Sequence, residues 1–166
     1  MMKTHFAEGK ITTLHDLDTL KAKFQEKKVV LVGGCFDLFH FGHLVFFEGA
    51  KKSGDVLVVA LESDEFITLK KKRSPIHTQA QRAFILANLT LVDAVITLPF
   101  LKTYSEYFQL VSRLRPDVIA ITEGDPYQSE KEKQAAEINA VVKVVAPRVD
   151  THSTSAIIQY ETIFSN

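Results

Sequence analysis

The sequence predicts an α/β fold in which a parallel five-stranded sheet carries helices on both faces. Five short runs of apolar, mostly β-branched residues have the length of buried strands, and such continuous apolar runs are typical of strands that are covered on both sides. Longer stretches with helical periodicity separate these runs. Because parallel neighbours need long crossover connections, the alternation of strand and helix favours a parallel sheet between two layers of helices.

The individual elements follow from local patterns. Apolar residues at helical spacing predict an amphipathic helix over residues 14–26, within an N-terminal helical extension of residues 1–27. The predicted strands cover residues 29–32, 56–61, 94–98, 118–121 and 141–145. The predicted helices that follow them cover residues 44–52, 78–89, 104–114, 130–139 and 155–164. Thr78 is expected to cap its helix, and the 166 residues are expected to form a single domain, residues 1–166.

Composition narrows the range of partners. Lys plus Arg and Asp plus Glu are equal at 20 each, so the bulk charge predicts neither a nucleic-acid partner nor an anionic membrane. No apolar run approaches the ~20 residues of a transmembrane helix. The single cysteine, Cys35, excludes an intrachain disulfide and predicts a cytoplasmic protein. A small apolar turn residue is the favoured interpretation of Cys35, ahead of a nucleophile.

The most informative segment, residues 33–43, has the sequence Gly-Gly-Cys-Phe-Asp-Leu-Phe-His-Phe-Gly-His and directly follows the first predicted core strand. In parallel sheets, ligands bind at the carboxyl ends of the strands. Adjacent glycines let a phosphate approach the backbone, and the next helix is expected to begin with unpaired N–H groups and a positive dipole end. His40 and His43 are three residues apart and share one side of a helical turn. The segment therefore predicts a phosphate site suited to in-line attack at a nucleotide α-phosphate.

Four further groups of polar residues are candidate phosphate or nucleotide ligands, and each also has a structural interpretation. The basic run at residues 70–73, Lys-Lys-Lys-Arg, is either a solvated loop or a source of positive charge for phosphates. Arg82 lies among apolar helical residues and could bind phosphate or extend to solvent. Gly124 and Asp125 follow the fourth strand and are turn residues or nucleotide ligands. Residues 148–155, Arg-Val-Asp-Thr-His-Ser-Thr-Ser, could both cap the last helix and bind phosphate.

Several motifs of other enzyme classes are absent from the sequence. It has neither a Gly-x-x-x-x-Gly-Lys-Ser/Thr loop nor a Gly-x-Gly-x-x-Gly turn, which removes the main support for kinases, P-loop NTPases and dinucleotide oxidoreductases. A Gly-x-Ser-x-Gly elbow and a His-Glu-x-x-His or cysteine-rich metal pattern are also missing.

Residues 28–164 resemble the cytidylyltransferase-like nucleotidyltransferases, a branch of the HIGH-motif superfamily with a Rossmann-like fold. Residues 34–43 are similar to the first motif of that family, with both histidines in place. The Ser-Asp-Glu-Phe stretch at residues 63–66, the basic run and Arg82 follow at spacings like those of glycerol-3-phosphate cytidylyltransferases. Residues 148–155 resemble the closing Arg-x-x-x-x-Ser-Thr-Thr element of those enzymes, with Ser in place of the final Thr.

The resemblance implies transfer of a nucleotidyl group from ATP or CTP to a phosphorylated sugar or polyol, with Mg²⁺ as cofactor and pyrophosphate as product. It also implies a homodimer. The implied catalytic residues are His40, His43, Lys71 and Arg73. The implied nucleotide-binding residues are Gly34, Cys35, Phe36, Arg82, Gly124, Asp125, Arg148, Ser153 and Thr154. No protein ligand to a metal is assigned; Asp37 either braces the turn, which is favoured, or lies near the magnesium ion.

Two acceptors remain open at this stage. The Gly-Cys-Phe-Asp form of the first motif and Gly-Lys-Ile at residues 9–11 resemble the adenylyltransferase domain that makes ADP-heptose from heptose 1-phosphate, which favours ATP. The Ser-Asp-Glu-Phe stretch and Arg148 are more similar to glycerol-3-phosphate cytidylyltransferases. A non-catalytic nucleotide-binding regulatory protein is the alternative from another functional class.

Overall fold

A parallel sheet of six strands lies at the centre of the residues that the computed structural model describes, Ala7 and residues 9–147. Every pairing between neighbouring strands is parallel, and the strand order is β1-β4-β3-β2-β5-β6. The strands are β1 (Ile11–Thr13), β2 (Val29–Gly34), β3 (Val56–Leu61), β4 (Ala94–Thr97), β5 (Val118–Thr122) and β6 (Val141–Ala146). The inner strands are buried along almost their whole length, which explains their continuous apolar sequences.

Helices cover both faces of this sheet, as predicted. They are α1 (Leu17–Lys23), α2 (Phe41–Lys51), α3 (Asp64–Lys71), α4 (Gln79–Ala87), α5 (Tyr104–Leu114) and α6 (Gln128–Ile138). Apolar residues of α2 and α4 form a core with one face of the sheet, and those of α1, α5 and α6 form a second core with the other. Thr78 caps α4 in a capping box with Gln81, which confirms the predicted cap.

The strand count and the N-terminal segment correct the sequence-based expectation. The sheet has six strands rather than five, because Ile11–Thr13 pairs with β4. Residues 1–27 are therefore not a purely helical extension, and within residues 14–26 the α-helix covers only Leu17–Lys23, preceded by the 3₁₀ turn Leu14–Asp16. Three residues at a sheet edge are too short for a periodic pattern, so the pairing with β4 defines this strand. The helix predicted at residues 155–164 lies outside the described residues.

The strand order changes direction between β2 and β5. After β2 the chain moves outward through β3 to β4, and it then returns to pair β5 with the opposite side of β2. The carboxyl ends of β2, β3 and β5 therefore meet around a crevice, where open parallel sheets bind their ligands. Residues 33–43 leave the sheet at this point.

Gly49 allows α2 to lie close to β6. A Cβ atom at this position would stand 2.3 Å from the Val145 carbonyl oxygen. Gly49→Ala is expected to lower the free energy of unfolding by about 1–3 kcal/mol through overpacking, which exceeds the roughly 1 kcal/mol that alanine gains in a helix. Urea unfolding would measure it. Gly33→Ala is the control, because its Cβ would meet nothing nearer than 4.0 Å; equal losses in both variants would contradict this packing argument.

Candidate active site

The turn after β2 has an unusual backbone. Phe36 and Leu38 adopt left-handed φ values of 46° and 55°, a conformation that costs a non-glycine residue roughly 1–2 kcal/mol. The buried Phe36 ring lies against the Gly34 backbone, where a Cβ would come within 2.9 Å of the ring. Strain of this kind is concentrated at ligand sites. The glycine at residue 34 is thus required by packing of the turn itself.

His40 and His43 stand at the end of this turn with their rings stacked, 3.7 Å between ring centroids and 23° between ring planes. The helix α2 begins directly after His40, whose Nδ1 accepts a hydrogen bond from the Gly42 N–H at 3.1 Å. Because Nδ1 is the acceptor, the proton of the neutral His40 ring lies on Nε2. The structure therefore brings together the two predicted imidazoles at the carboxyl edge of the sheet.

His43 is the more enclosed of the two imidazoles. Phe36 packs edge-on against its ring at a centroid distance of 5.2 Å, and Phe39 contacts it at 5.5 Å. Burial, followed by the nearby His40, lowers the pKa of His43 to about 3. Its imidazole is therefore neutral near pH 7, and its buried Nδ1 has no hydrogen-bond partner among the described residues. A buried nitrogen without a partner is a feature of sites that receive a ligand.

One sequence-based expectation about this turn is wrong. The start of α2 does not present unpaired N–H groups at Gly42 and His43, since Gly42 donates to the His40 ring and His43 donates to the His40 carbonyl oxygen. The histidine side chain has taken the place of the usual Ser, Thr or Asp cap. Side-chain donors and the helix dipole, rather than those two amides, are the groups available to an anion.

Asp37 braces the turn, as the favoured interpretation predicted. Its carboxylate is 1% exposed and accepts hydrogen bonds from the Arg73 guanidinium and from the Ile76 and His77 N–H groups. Burial alone would raise the pKa of Asp37, but the bonds from Arg73 and from these two amides outweigh it and lower the pKa below its ordinary value. The segment that follows the basic run is thereby tied to residues 33–43, which we call the phosphate turn after the role predicted from the sequence.

Asp37→Asn is expected to lower the free energy of unfolding at pH 7 by about 2–3 kcal/mol, since hydrogen bonds to a charged group are lost. Because the folded pKa of Asp37 is depressed, the wild-type advantage is complete above the unfolded value of 3.8 and disappears as the pH falls through the folded value. Urea unfolding between pH 3 and pH 7 measures the difference. Asp18→Asn on the exposed face of α1 is the control; a difference between wild type and Asp37→Asn that stays constant to pH 3 would contradict the assignment.

Arg82 is fully buried and its guanidinium has three protein acceptors. Its donors bond to the carbonyl oxygens of Cys35 and His77 at 2.6 and 3.1 Å and to the Asp64 carboxylate at 2.7 Å. The side chain does not extend to solvent. It links α4 and α3 to the phosphate turn from below, so its contacts in this structure are those of a positioning residue. Direct binding of nucleotide by Arg82 stays a prediction.

Two side chains of the basic run have different surroundings, one in the turn after β2 and one in solvent. Arg73 is engaged with Asp37, whereas Lys71 is exposed in the last turn of α3. Burial raises the pKa of the Cys35 thiol to about 11, although the charge of Lys71 acts against this. Cys35 is therefore a protonated thiol near pH 7, which fits its interpretation as a turn residue. The charge of Lys71 thus acts on the Cys35 thiol.

The predicted residues after β5 form a turn on the opposite side of the crevice. Gly124 adopts a φ of +71°, and Asp125 accepts a hydrogen bond from the Tyr127 N–H and forms an ion pair with Lys131 at 2.7 Å. These contacts fix the conformation of the loop that leads into α6. A role of Gly124 and Asp125 in nucleotide binding stays a prediction. The other three predicted residues, Arg148, Ser153 and Thr154, lie outside the described residues.

Sequence reasoning missed Glu62 and Tyr107. Glu62 follows β3 directly and is 8% exposed, and its Oε1 accepts a hydrogen bond from the Tyr107 hydroxyl at 2.9 Å. Burial raises the pKa of Glu62 to about 7, although its hydrogen bond to Tyr107 opposes the shift. A glutamate at the end of an apolar strand is a detectable signal, but its tyrosine partner is distant in sequence.

The described residues do not form a protein cage for a metal ion. No group of three or more His, Cys, Asp or Glu side chains within them has a geometry that could hold one, and the Asp37 carboxylate is already saturated by its donors. Mg²⁺ is commonly held by substrate phosphates and water with few protein ligands. Mg²⁺ as a cofactor stays a prediction, and substrate phosphates and water would supply most of its ligands.

Comparison with known proteins decides the family. The sequence model described as cytidylyltransferase-like matches residues 31–161, which include the turn after β2 and every helix and strand from α2 to β6. The chain belongs to the cytidylyltransferase-like family. This membership confirms the resemblance found in the sequence and the predicted enzyme class, a nucleotidyltransferase.

Curated relatives of this family member carry the name Bifunctional protein HldE. The one from Helicobacter hepaticus is 34% identical over 157 residues, which are 93% of this chain and 30% of the relative. The one from Campylobacter jejuni subsp. doylei is 37% identical over 153 residues, 92% of this chain and 31% of the relative. The chain thus spans less than a third of the length of these relatives.

Solved structures agree on the fold of this family member. A lipopolysaccharide core biosynthesis protein from Thermoplasma volcanium is 26% identical, with a TM-score of 0.60 over 72% of this chain and 95% of the other. A pantoate-beta-alanine ligase from Francisella tularensis has a TM-score of 0.64 over 94% of this chain and 78% of the other, at 15% identity. The second likeness concerns the fold alone. Within the described residues, every helix is too short or too polar to cross a membrane.

Proposed function

We propose that the chain transfers a nucleotidyl group from a nucleoside triphosphate to a phosphorylated sugar or polyol and releases pyrophosphate. The observation that supports this most strongly is the stacked pair His40–His43 at the crevice between β2 and β5. Both imidazoles lie at the carboxyl edge of the sheet, where folds of this kind bind ligands, and the buried Nδ1 of His43 has no hydrogen-bond partner among the described residues. The exposed Lys71, in the last turn of the helix that follows β3, supplies positive charge for the phosphates in this proposal.

The chemistry requires positioning and charge stabilisation more than proton transfer. An oxygen of the acceptor phosphate attacks the α-phosphorus, a new P–O bond forms, and the bond from the α-phosphorus to the bridging oxygen breaks, so that pyrophosphate leaves with its electron pair. The acceptor phosphate is already an anion near pH 7 and needs no general base. In this proposal the His40 imidazole donates to a phosphate oxygen, and His43 adds a second imidazole within the same turn. Fixed donors of this kind stabilise charge that develops in the transition state.

The enclosed position of His43 changes how it can act. Its pKa of about 3 makes it neutral in the free protein, so it contributes a hydrogen-bond donor rather than a permanent positive charge. A nearby triphosphate would raise this pKa, because opposite charges favour the protonated form. Mg²⁺ would enter with the triphosphate and neutralise part of its charge when bound.

ATP is the favoured donor and heptose 1-phosphate the favoured acceptor in this proposal. The Gly-Cys-Phe-Asp sequence at residues 34–37 and the segment around residues 9–11 support it. CTP with glycerol 3-phosphate is the second candidate, which the Ser-Asp-Glu-Phe sequence at residues 63–66 favours. There Ser63 caps α3 by accepting from the Phe66 N–H, so in this chain the stretch also has a structural role. The homodimer belongs to the same proposal.

A pyrophosphate-release assay tests the proposal. The purified chain would be incubated with Mg²⁺, with ATP, CTP, GTP or UTP in turn, and with heptose 1-phosphate, glycerol 3-phosphate or another sugar 1-phosphate. Pyrophosphate that requires both a triphosphate and an acceptor is the expected result, with ATP and heptose 1-phosphate as the fastest pair. Binding of a triphosphate without pyrophosphate in any combination would favour the regulatory nucleotide-binding protein instead.

A further inference from the structure

Glu62 occupies a position beside the phosphate turn that the proposed transfer does not use. It is the first residue after β3, and its N–H donates to the Gly34 carbonyl oxygen at 3.0 Å. This bond places Glu62 next to Cys35, and the charge of Glu62 acts on the Cys35 thiol. The alternation along β3 points Ala60 and Glu62 toward the face that α5 and α6 cover. Glu62 therefore lies just past the carboxyl end of β3, on the face of the sheet that α5 and α6 cover.

Only one of the two oxygens of the Glu62 carboxylate has a hydrogen-bond partner among the described residues. Oε1 accepts from the Tyr107 hydroxyl at 2.9 Å, but Oε2 is buried and has no hydrogen-bond partner among the described residues. The whole residue is 8% exposed. Buried carboxylate oxygens are almost always hydrogen-bonded, so an orphaned one beside a ligand crevice points to a donor that arrives with a ligand. Burial also raises the pKa of this carboxyl to about 7, as expected of a group that lacks its partner.

The surrounding charges limit what that donor can be. Lys131 and Arg82 act electrostatically on Glu62, and Lys71 and Arg73 act on the neighbouring Cys35. A phosphate would be repelled by the carboxylate, and three of the four cations, all but Lys71, are already paired with aspartate carboxylates. An ammonium group would be attracted to Glu62 but would add another buried charge beside Arg82 and Lys131. A neutral hydroxyl group suits both conditions, because it donates to the carboxylate without adding charge.

We infer that Glu62, held by Tyr107, is the specificity-determining residue for the phosphorylated acceptor and accepts a hydrogen bond from one of its hydroxyl groups. The inference rests on the proposed function, in which the triphosphate occupies the crevice between β2 and β5. The acceptor then reaches the α-phosphate from the β3 side, with its phosphate toward Lys71 and its hydroxyl groups toward Glu62. Tyr107 positions the carboxylate and does not contact the reacting atoms.

Calorimetric titration with matched pairs of phosphates tests this inference. The pairs are glycerol 3-phosphate with propyl phosphate, and mannose 1-phosphate with cyclohexyl phosphate, each titrated with a non-hydrolysable ATP analogue and Mg²⁺ present. The wild type is expected to bind the hydroxylated member of at least one pair tenfold more tightly. Glu62→Ala is expected to reduce that preference to less than threefold, and Glu62→Gln, which keeps an acceptor oxygen and the side-chain volume, to an intermediate value.

Control measurements separate recognition from folding. Glu65→Gln, on the exposed side of α3, is expected to keep the wild-type preference, and all variants are expected to keep the wild-type affinity for the ATP analogue. A wild type without any hydroxyl preference, a preference that survives in Glu62→Ala, or tightest binding of phosphoethanolamine would each overturn the inference. The titrations need no turnover. Absence of pyrophosphate release would therefore reject the proposed function alone, whereas absence of the hydroxyl preference would reject only the role of Glu62.

Discussion

His43→Ala is expected to lower kcat by a factor of about 10²–10³ while the chain still folds, because it removes a positioned donor from a site with restricted access to water. The imidazole is packed between Phe36 and Phe39 and stacked on His40, so its position is fixed before substrate binds. Interactions of this kind act mainly in the transition state, and the loss is expected in kcat more than in the KM for the triphosphate. Steady-state pyrophosphate release measures both constants.

His15→Ala is the matched control for this variant. His15 is exposed in the 3₁₀ turn before α1, where its backbone N–H donates to the Thr13 hydroxyl. Its replacement is expected to leave kcat unchanged. Circular dichroism and thermal unfolding would verify that His43→Ala remains folded, since the substitution also removes contacts with two phenylalanine rings. A folded His43→Ala variant with a nearly wild-type rate would refute the catalytic assignment.

Arg82→Lys is expected to lower the free energy of unfolding by about 3 kcal/mol or more, because a fully buried charge loses its matched acceptors. For a chain of this length, 1 kcal/mol corresponds to roughly 2–4 °C, so the Tm should fall by about 6–12 °C. The planar guanidinium of Arg82 donates at once to the Cys35 and His77 carbonyl oxygens and to the Asp64 carboxylate. Lysine keeps the positive charge, but its single ammonium group cannot reach all three acceptors. Differential scanning calorimetry would measure the change.

The same variant distinguishes a positioning role from direct nucleotide binding. Arg113→Lys is the control, because the Arg113 guanidinium bonds to Leu14 and Asp18 at an exposed surface, where the expected change is below about 1 kcal/mol. A large fall in Tm for Arg82→Lys with a nearly unchanged KM for the triphosphate is the expected pair of results. An unchanged Tm with a strongly raised KM would instead assign Arg82 to the nucleotide, as the resemblance implied.

The parts of the fold that depend on local sequence patterns were predictable. Strands buried on both faces are continuous apolar runs, and the intervening helices show their periodicity, so the parallel α/β arrangement followed from the sequence. β1 did not, because Ile11–Thr13 is a strand only through its pairing with β4. Its three residues contain too little pattern to indicate either a strand or its partner.

In the candidate site, too, features set by neighbouring residues were predictable, and contacts between residues far apart in the sequence were not. His40 and His43 were predictable because their spacing places both rings on one helical turn. The bond between Asp37 and Arg73 joins residues 36 positions apart, and that between Glu62 and Tyr107 joins residues 45 apart. Contacts of this kind depend on how the elements pack. The capping of α2 by the His40 ring was equally hidden, since histidine is not among the usual capping residues.

A crystal structure of the chain with Mg²⁺ and a non-hydrolysable analogue of ATP or CTP would show directly whether the stacked imidazoles bind the triphosphate. We expect the triphosphate between the carboxyl ends of β2 and β5, with α- or β-phosphate oxygens about 3 Å from His40 Nε2 and next to His43. Nucleotide bound at another surface, with no phosphate beside this stacked pair of imidazoles, would contradict this expectation.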